Sequence, residues 1–375
     1  MKFLISGGGT GGHIFPAVSI ANAIRQMQPD ADILFIGALG RMEMEKVPAE
    51  GYRIIGLPVR GFKRPLFHPA NLMVLLDLWK SIRQARQIIR DFRPDAAVGV
   101  GGYASAAALK AAAALGVPYV LHEQNGFAGV TNRKLAHGAR RICVAYPGME
   151  RFFPADKIVV TGNPVRQALL ECKTTPAEAR RAFGLDPERP TVFVTGGSLG
   201  ARSINQAICA GLDRFQEAGV QVLWQTGKAD GDKWEQAVRA LPTTRPDGTS
   251  APVLIHPTVF VHDMALAYRA ADVVISRSGA GAVNEVCLIG KAAIFVPLPT
   301  AAEDHQTANA RSLSSRDAAI LIPDSEAPAR LVSEAIRLVG DPQRIAAMEQ
   351  GARAMAHYGA ADAVARIVIN EATKR

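Results

Sequence analysis

Twice along this chain an apolar run of strand length empties into a glycine loop and then into a helical pattern. The first copy is "KFLIS", "GGGTGGH" and "IFPAVSIANAIRQM"; the second is "TVFVT", "GGSLGAR" and "SINQAI". A strand that ends in glycine and feeds a helix is the unit of a parallel sheet, because parallel neighbours need a crossover to reconnect. Two such starts in 375 residues imply two doubly wound α/β domains, since one core usually stops growing below that length.

The runs between the two starts keep the rhythm. "ADILFIG", "DAAVGVG", "PYVLHE" and "RICVAY" follow the first, and "QVLWQTG", "PVLIHPTVF", "ADVVISRSG" and "AAIFVPLP" follow the second. The expected fold is therefore two Rossmann-like doubly wound domains facing across a cleft, the ligand sites lying at the carboxyl ends of both sheets. We place the first domain at 1–164, the second at 165–350, and a C-terminal helix at 351–375 that could pack back on the first. The hinge falls near "TGNPVR". After it, "TPAEARRAFGLDP" carries a helix start at Thr175 with Pro176 at the first position, Glu178 closing a capping box, and Gly184 as the stop.

Composition excludes several classes. A hydrophobic content of 48% with 21% charged residues is that of a folded chain without disordered tracts. Four widely spaced cysteines give neither a zinc pattern nor a disulfide framework. The alanine-rich stretch 96–121 carries one charge, but glycines and Pro118 break it into strand, turn, helix and strand rather than a membrane span. A formal charge of +9 favours anionic partners. The basic residues are scattered, however, without an aromatic platform or helix-turn-helix pattern, so nucleic acid is not expected.

Gly7, Gly9 and Gly12 satisfy the spacing of a dinucleotide loop, which makes a nucleotide-binding oxidoreductase one reading. The acid that should end the second strand and hold a ribose is missing: Gly37 and Ala38 stand there, and Asp32 is at the wrong end. "GGSLGAR" has no P-loop lysine, yet its N–H groups and the Ser198 hydroxyl suit a phosphate. In "SRSGAGAVNEVCLIG" a strand, a glycine turn and a helix opening near Ala280 precede Glu285, so a diphosphate on the helix N-terminus could have its ribose held by that carboxylate. His305, Gln306 and Asn309 in the next loop suit a hydroxyl-rich sugar.

The ordered set "GGTGGHIFP", "GGYAS", "HEQNGFAGVTNR", "GNPVR", "GGSLGAR", "WQTGK", "RSGAGAVNE" and "HQTANA" resembles the MurG family, from about residue 3 to at least 310. These are the bacterial transferases that move N-acetylglucosamine (GlcNAc) from UDP-GlcNAc to undecaprenyl-pyrophosphoryl-N-acetylmuramyl-pentapeptide (lipid I), making lipid II. The resemblance implies an inverting enzyme of the B-type glycosyltransferase architecture, bound peripherally to the cytoplasmic face of the inner membrane and using no cofactor or tightly bound metal. It places Thr10, Gly11 and Gly12 beside the sugar and diphosphate, Asn125 and Gln306 on the GlcNAc, and Arg166 and Ser198 on the nucleotide. The backbone of Val261 would read uracil, and Ala280, Gly281, Ala282, Val283, Asn284 and Glu285 would form the diphosphate and ribose loop. Gly281 and Asn284 depart from the common family pattern there. UDP-sugar 2-epimerases and glycolipid transferases share the architecture and are the rival readings.

An inverting transfer needs a base for the acceptor hydroxyl. His13 is the leading candidate, because the positive end of its helix disfavours the imidazolium form; Glu123 of "LHEQN" is the rival. For the lipid acceptor, residues 62–90 offer a surface. Leu72, Leu75, Leu76, Trp79, Ile82 and Ile89 form one helical stripe that reads as core. Met73, Val74 and Leu78 lie off it and, with Phe62, Leu66, Phe67, Lys63, Arg64 and Lys80, suggest a patch for an anionic membrane surface.

Overall fold

Strands as apolar on both faces as Phe3, Leu4 and Ile5, or Val192, Phe193 and Val194, must lie between two layers of helix, and all six side chains are fully buried. The computed structural model describes residues 1–9, 11–60, 71–165, 168–243 and 252–374. It divides into two units, Met1–Arg166 with His357–Arg375, and Gln167–Ala356.

The first unit is built on seven parallel strands: β1 (Lys2–Ser6), β2 (Asp32–Ala38), β3 (Arg53–Leu57), β4 (Ala96–Gly99), β5 (Tyr119–Glu123), β6 (Arg141–Val144) and β7 (Ile158–Val160). Their order is β3-β2-β1-β4-β5-β6-β7, with Ile5 of β1 opposite Phe35 on one side and Val98 on the other. The order reverses between β1 and β4, and the crevice beyond their carboxyl ends is where doubly wound sheets hold ligands. Helices α1 (Gly11–Met27), α2 (Glu43–Ala49), α3 (Asn71–Phe92) and α4 (Tyr103–Ala114) connect the first five strands. The last helix, Ala360–Thr373, returns to this unit and buries Val364, Ala365 and Val368 in the core that α1 shares.

The second unit repeats the plan with six parallel strands: β8 (Thr191–Thr195), β9 (Gln221–Gln225), β10 (Ile255–Thr258), β11 (Val273–Ser276), β12 (Ala292–Phe295) and β13 (Ile320–Leu321). The order β10-β9-β8-β11-β12-β13 reverses between β8 and β11. The loops after those two strands, 196–201 and 277–279, therefore lie at the switch point. The short helix before β8 starts as its spacing predicts: Thr175 Oγ1 accepts from Glu178 N and the Glu178 carboxylate from Thr175 N, at 3.3 and 2.9 Å.

The stretch 96–121 folds as β4, α4 and β5, and among the described residues no helix is long and apolar enough to cross a membrane. The small side chains of α4 let α3 pack closely, and this reverses part of the expected face of α3. Its buried side runs through Val74, Ser81, Ala85 and Ile89, whereas Leu76 and Trp79, expected in the core, are 48% and 61% exposed. Met73 shares the exposed side at 53%. A 74–81–85–89 stripe steps by a full turn or two on the side that faces the alanines, whereas Trp79 is too large for that contact. Phe62, Lys63, Arg64, Leu66 and Phe67 lie outside the described residues, as do the side chains of Leu72 and Leu75.

Candidate active site

In the first unit the loops after β1 and β4 meet. A Cβ on Gly102 would stand 2.7 Å from the Gly8 carbonyl, and both Gly101 and Gly102 have positive φ, +100° and +90°. Only glycine allows this approach in that conformation. Half-buried His13 lies in the first turn of α1, with Nδ1 3.0 Å from the Gly8 carbonyl oxygen. A carbonyl only accepts, so Nδ1 carries a proton, and in the neutral ring Nε2 is the nitrogen with the lone pair. Nε2 lies against the second loop, 3.0 Å from where a Gly101 Cβ would stand.

Glu43, which the sequence reading passes over, fills the first glycine loop. Its side chain is fully buried and accepts from Gly9 N at 2.9 Å and Ala38 N at 3.0 Å. A dinucleotide pyrophosphate would need that Gly9 N–H and would meet a carboxylate, so the loop is unsuited to NAD.

Glu123 at the end of β5 is 2% exposed and saturated with donors. Oε1 accepts from Asn125 N and Nδ2, both at 3.2 Å, and Oε2 from Gly129 N at 3.0 Å and Asn132 Nδ2 at 2.8 Å. The carboxylate thus braces the loop that carries Asn125. Beside it, fully buried His122 donates from Nε2 to the Gly162 carbonyl (3.1 Å) and accepts at Nδ1 from Gln124 Nε2 (3.0 Å). Burial lowers its pKa from 6.5 to about 4, against the Gly162 bond and with a smaller push from His13. The unfolded chain therefore binds more protons between those values, and stability is lost as pH falls through them, by up to about 3 kcal/mol. Thermal melts from pH 7 to 4.5 should show a steeper decline for the wild type than for His122→Gln.

In the second unit, loop 196–201 is bent by Gly197 and Gly200, at φ +81° and +82°. It leaves Ser198 exposed ahead of the helix Arg202–Cys209. Gln225 stitches this loop to the one after β10: its Nε2 donates to Gly197 O at 3.0 Å, and its Oε1 accepts from Val261 N at 2.9 Å. The Val261 side chain is buried, and its N–H is committed to Gln225. Of the backbone groups expected to read uracil at this residue, the carbonyl is the one outside that bond.

The helix Ala280–Ile289 follows β11, and its first internal bond runs from Val283 N to Gly279 O. The N–H groups of Ala280, Gly281 and Ala282 precede that bond and point out of the helix start, where an anion is stabilised. Val283 is fully buried, and Asn284 turns its amide to the Ala280 carbonyl at 2.7 Å, so the side chains of these two candidates are used by the fold. Glu285 is half-buried, and Tyr268 Oη donates to its Oε2 at 2.9 Å. Tyr268 is itself 1% exposed and edge-on to Phe193, which fixes the donor. Gln306 opens the helix after β12; its Oε1 accepts from Leu298 N and its backbone carbonyl from Ser278 Oγ, at 3.0 and 2.8 Å.

Sequence reasoning missed Glu43, Tyr268, Gln225 and Arg277, the last of which joins Ser203 and Asp324 to the carbonyls of Val296 and Pro297. Thr10 and Arg166 lie outside the described residues, whereas Gly11 and Gly12 form the start of α1. Among the described residues no three His, Cys, Asp or Glu side chains are grouped to hold a metal ion.

Residues 3–144 match the glycosyltransferase family 28 N-terminal domain and residues 191–366 its C-terminal domain. A protein of Parabacteroides distasonis is 50% identical over 100% of this chain and 99% of its own length. One from Porphyromonas gingivalis is 47% identical over 99% and 97%. Both are named UDP-N-acetylglucosamine–N-acetylmuramyl-(pentapeptide) pyrophosphoryl-undecaprenol N-acetylglucosamine transferase. Among solved structures, MurG of Acinetobacter baumannii is 27% identical with a TM-score of 0.77, over 98% of this chain and 99% of that one. A putative UDP-N-acetylglucosamine 2-epimerase from Listeria monocytogenes, 14% identical, reaches 0.71 over 100% and 97%, a likeness of fold alone.

Proposed function

The chain belongs to glycosyltransferase family 28, and on that premise we propose that it transfers GlcNAc from UDP-GlcNAc to the N-acetylmuramyl 4-hydroxyl of lipid I, giving lipid II for peptidoglycan synthesis. The observation that carries this reading is the end-to-end match, at 50% identity, to a transferase of that name. The likeness to the epimerase extends to the fold and not to the residues.

The acceptor oxygen attacks the anomeric carbon, the bond from that carbon to UDP breaks, and the configuration inverts. His13 takes the hydroxyl proton at Nε2, the ring nitrogen left without a hydrogen when Nδ1 donates to Gly8. Glu123, engaged by four donors, holds the loop that presents Asn125 to the sugar. In the second unit the N–H groups of Ala280, Gly281 and Ala282 receive the diphosphate and offset the charge that develops on departing UDP. Arg166 and Ser198 add to this, the Val261 carbonyl faces the uracil N3–H, and Glu285 holds the ribose. The Gln306 amide donates to a GlcNAc hydroxyl. Thr10, Gly11 and Gly12, in the glycine-rich stretch that follows β1, are the residues expected to contact the sugar and diphosphate.

The lipid substrate brings the protein to the cytoplasmic face of the inner membrane as a peripheral enzyme. The exposed Met73, Leu76 and Trp79 of α3, beside Lys80 and Arg83, supply an apolar contact and a positive rim for anionic lipids. Purified protein given UDP-GlcNAc and a lipid I analogue should release UDP only when both are present and yield the disaccharide product. UDP release indifferent to the acceptor would overturn the transferase reading.

A further inference from the structure

The buried Glu43 carboxylate has no cationic partner among the described residues, although an unpaired charge is costly to bury. What it has is a peptide. Oε2 accepts from the N–H of Gly9, and that N–H belongs to the same peptide group as the Gly8 carbonyl, which accepts from His13 Nδ1. Carboxylate, peptide and imidazole therefore form one continuous chain of hydrogen bonds, while Oε1 anchors the carboxylate to Ala38 N at the end of β2.

We propose that Glu43 is a positioning residue that sets the tautomer and basicity of His13 through the Gly8–Gly9 peptide. The proposal rests on His13 being the base. An anion bound to a peptide N–H makes the carbonyl of the same group a stronger acceptor, because hydrogen bonds in a chain polarise one another. That carbonyl holds the proton on Nδ1, keeps the Nε2 lone pair available, and stabilises the imidazolium formed when Nε2 takes the acceptor proton. A buried carboxylate does this by direct contact in hydrolytic triads, and here one peptide is interposed. The surrounding backbone is shaped to the carboxylate: a Cβ on Gly8 would stand 2.1 Å from Glu43 Oε1, and one on Gly37 2.7 Å from its Cγ.

Glu43→Gln keeps the shape, but turns an NH2 group toward one of the two backbone donors. The expected result is a kcat lower by about 10- to 100-fold, with the KM for UDP-GlcNAc within about twofold of wild type. The acid limb of the kcat–pH profile should move to lower pH by roughly half a unit to one unit, because loss of the anion disfavours imidazolium. Glu43→Asp retains the charge and should hold the limb near its wild-type position. Long-range proton–nitrogen NMR of histidine-labelled protein should show a single Nδ1–H form of His13 in the wild type and a mixture in Glu43→Gln. In a His13→Ala background the Glu43→Gln change should cost less than about twofold further. An unmoved acid limb with an unchanged tautomer, or losses that multiply, would overturn the role of Glu43. The NMR readout needs no turnover, so it separates that outcome from failure of His13 as the base, which would appear as retained activity in His13→Ala alone.

Discussion

Replacing His13 by alanine should lower kcat by about 10²- to 10⁴-fold and leave the KM for UDP-GlcNAc within about twofold of wild type. The split follows from the arrangement in the first unit. His13 lies in the first turn of α1, whereas Ser198, Val261, Ala280, Gly281, Ala282 and Glu285, proposed to hold the nucleotide, are in the second unit. Its Nδ1 is committed to Gly8, so in the neutral ring Nε2 is the nitrogen that can accept a proton. Removing it takes away the proton acceptor and none of the proposed donor contacts. Steady-state kinetics at saturating acceptor would decide the matter. Turnover retained within about tenfold, under roughly 1.4 kcal/mol of barrier, would remove His13 from the role of base.

What was legible in the sequence was whatever is encoded locally. The two strand–glycine–helix starts became β1 with α1 and β8 with its following helix, and the Thr175 capping box formed from residues three positions apart. The missing ribose acid after β2 correctly turned the first loop away from a dinucleotide, but the reason was only half visible. Glu43 reaches Gly9 across 34 residues, Tyr268 reaches Glu285 across 17, and Gln225 reaches Val261 across 36. Such pairings depend on how strands are ordered in a sheet, and no periodicity reports them. The faces of α3 failed for a related reason. Its apolar residues occupy both sides of the helix, and the small side chains of α4 decide which side is buried.

Replacing Glu285 by alanine should reduce kcat/KM for UDP-GlcNAc by about 10²-fold, mostly through KM, because a ribose diol bound by an ionised carboxylate makes two charge-assisted hydrogen bonds. Tyr268 is the reason to expect an effect at the upper end for a partly exposed glutamate. Its buried hydroxyl, 2.9 Å from Oε2, holds the carboxylate in one orientation, so the ordering cost is met before the donor arrives. Tyr268→Phe removes that hold but keeps the charge, and should cost no more than about tenfold. A donor lacking the ribose 2′-hydroxyl separates recognition from general electrostatics. The wild type should discriminate against it, and Glu285→Ala should use both donors about equally. If the alanine variant still discriminates, or if its KM stays within about twofold, the ribose is held by another group and Glu285 belongs to the scaffold of the helix Ala280–Ile289.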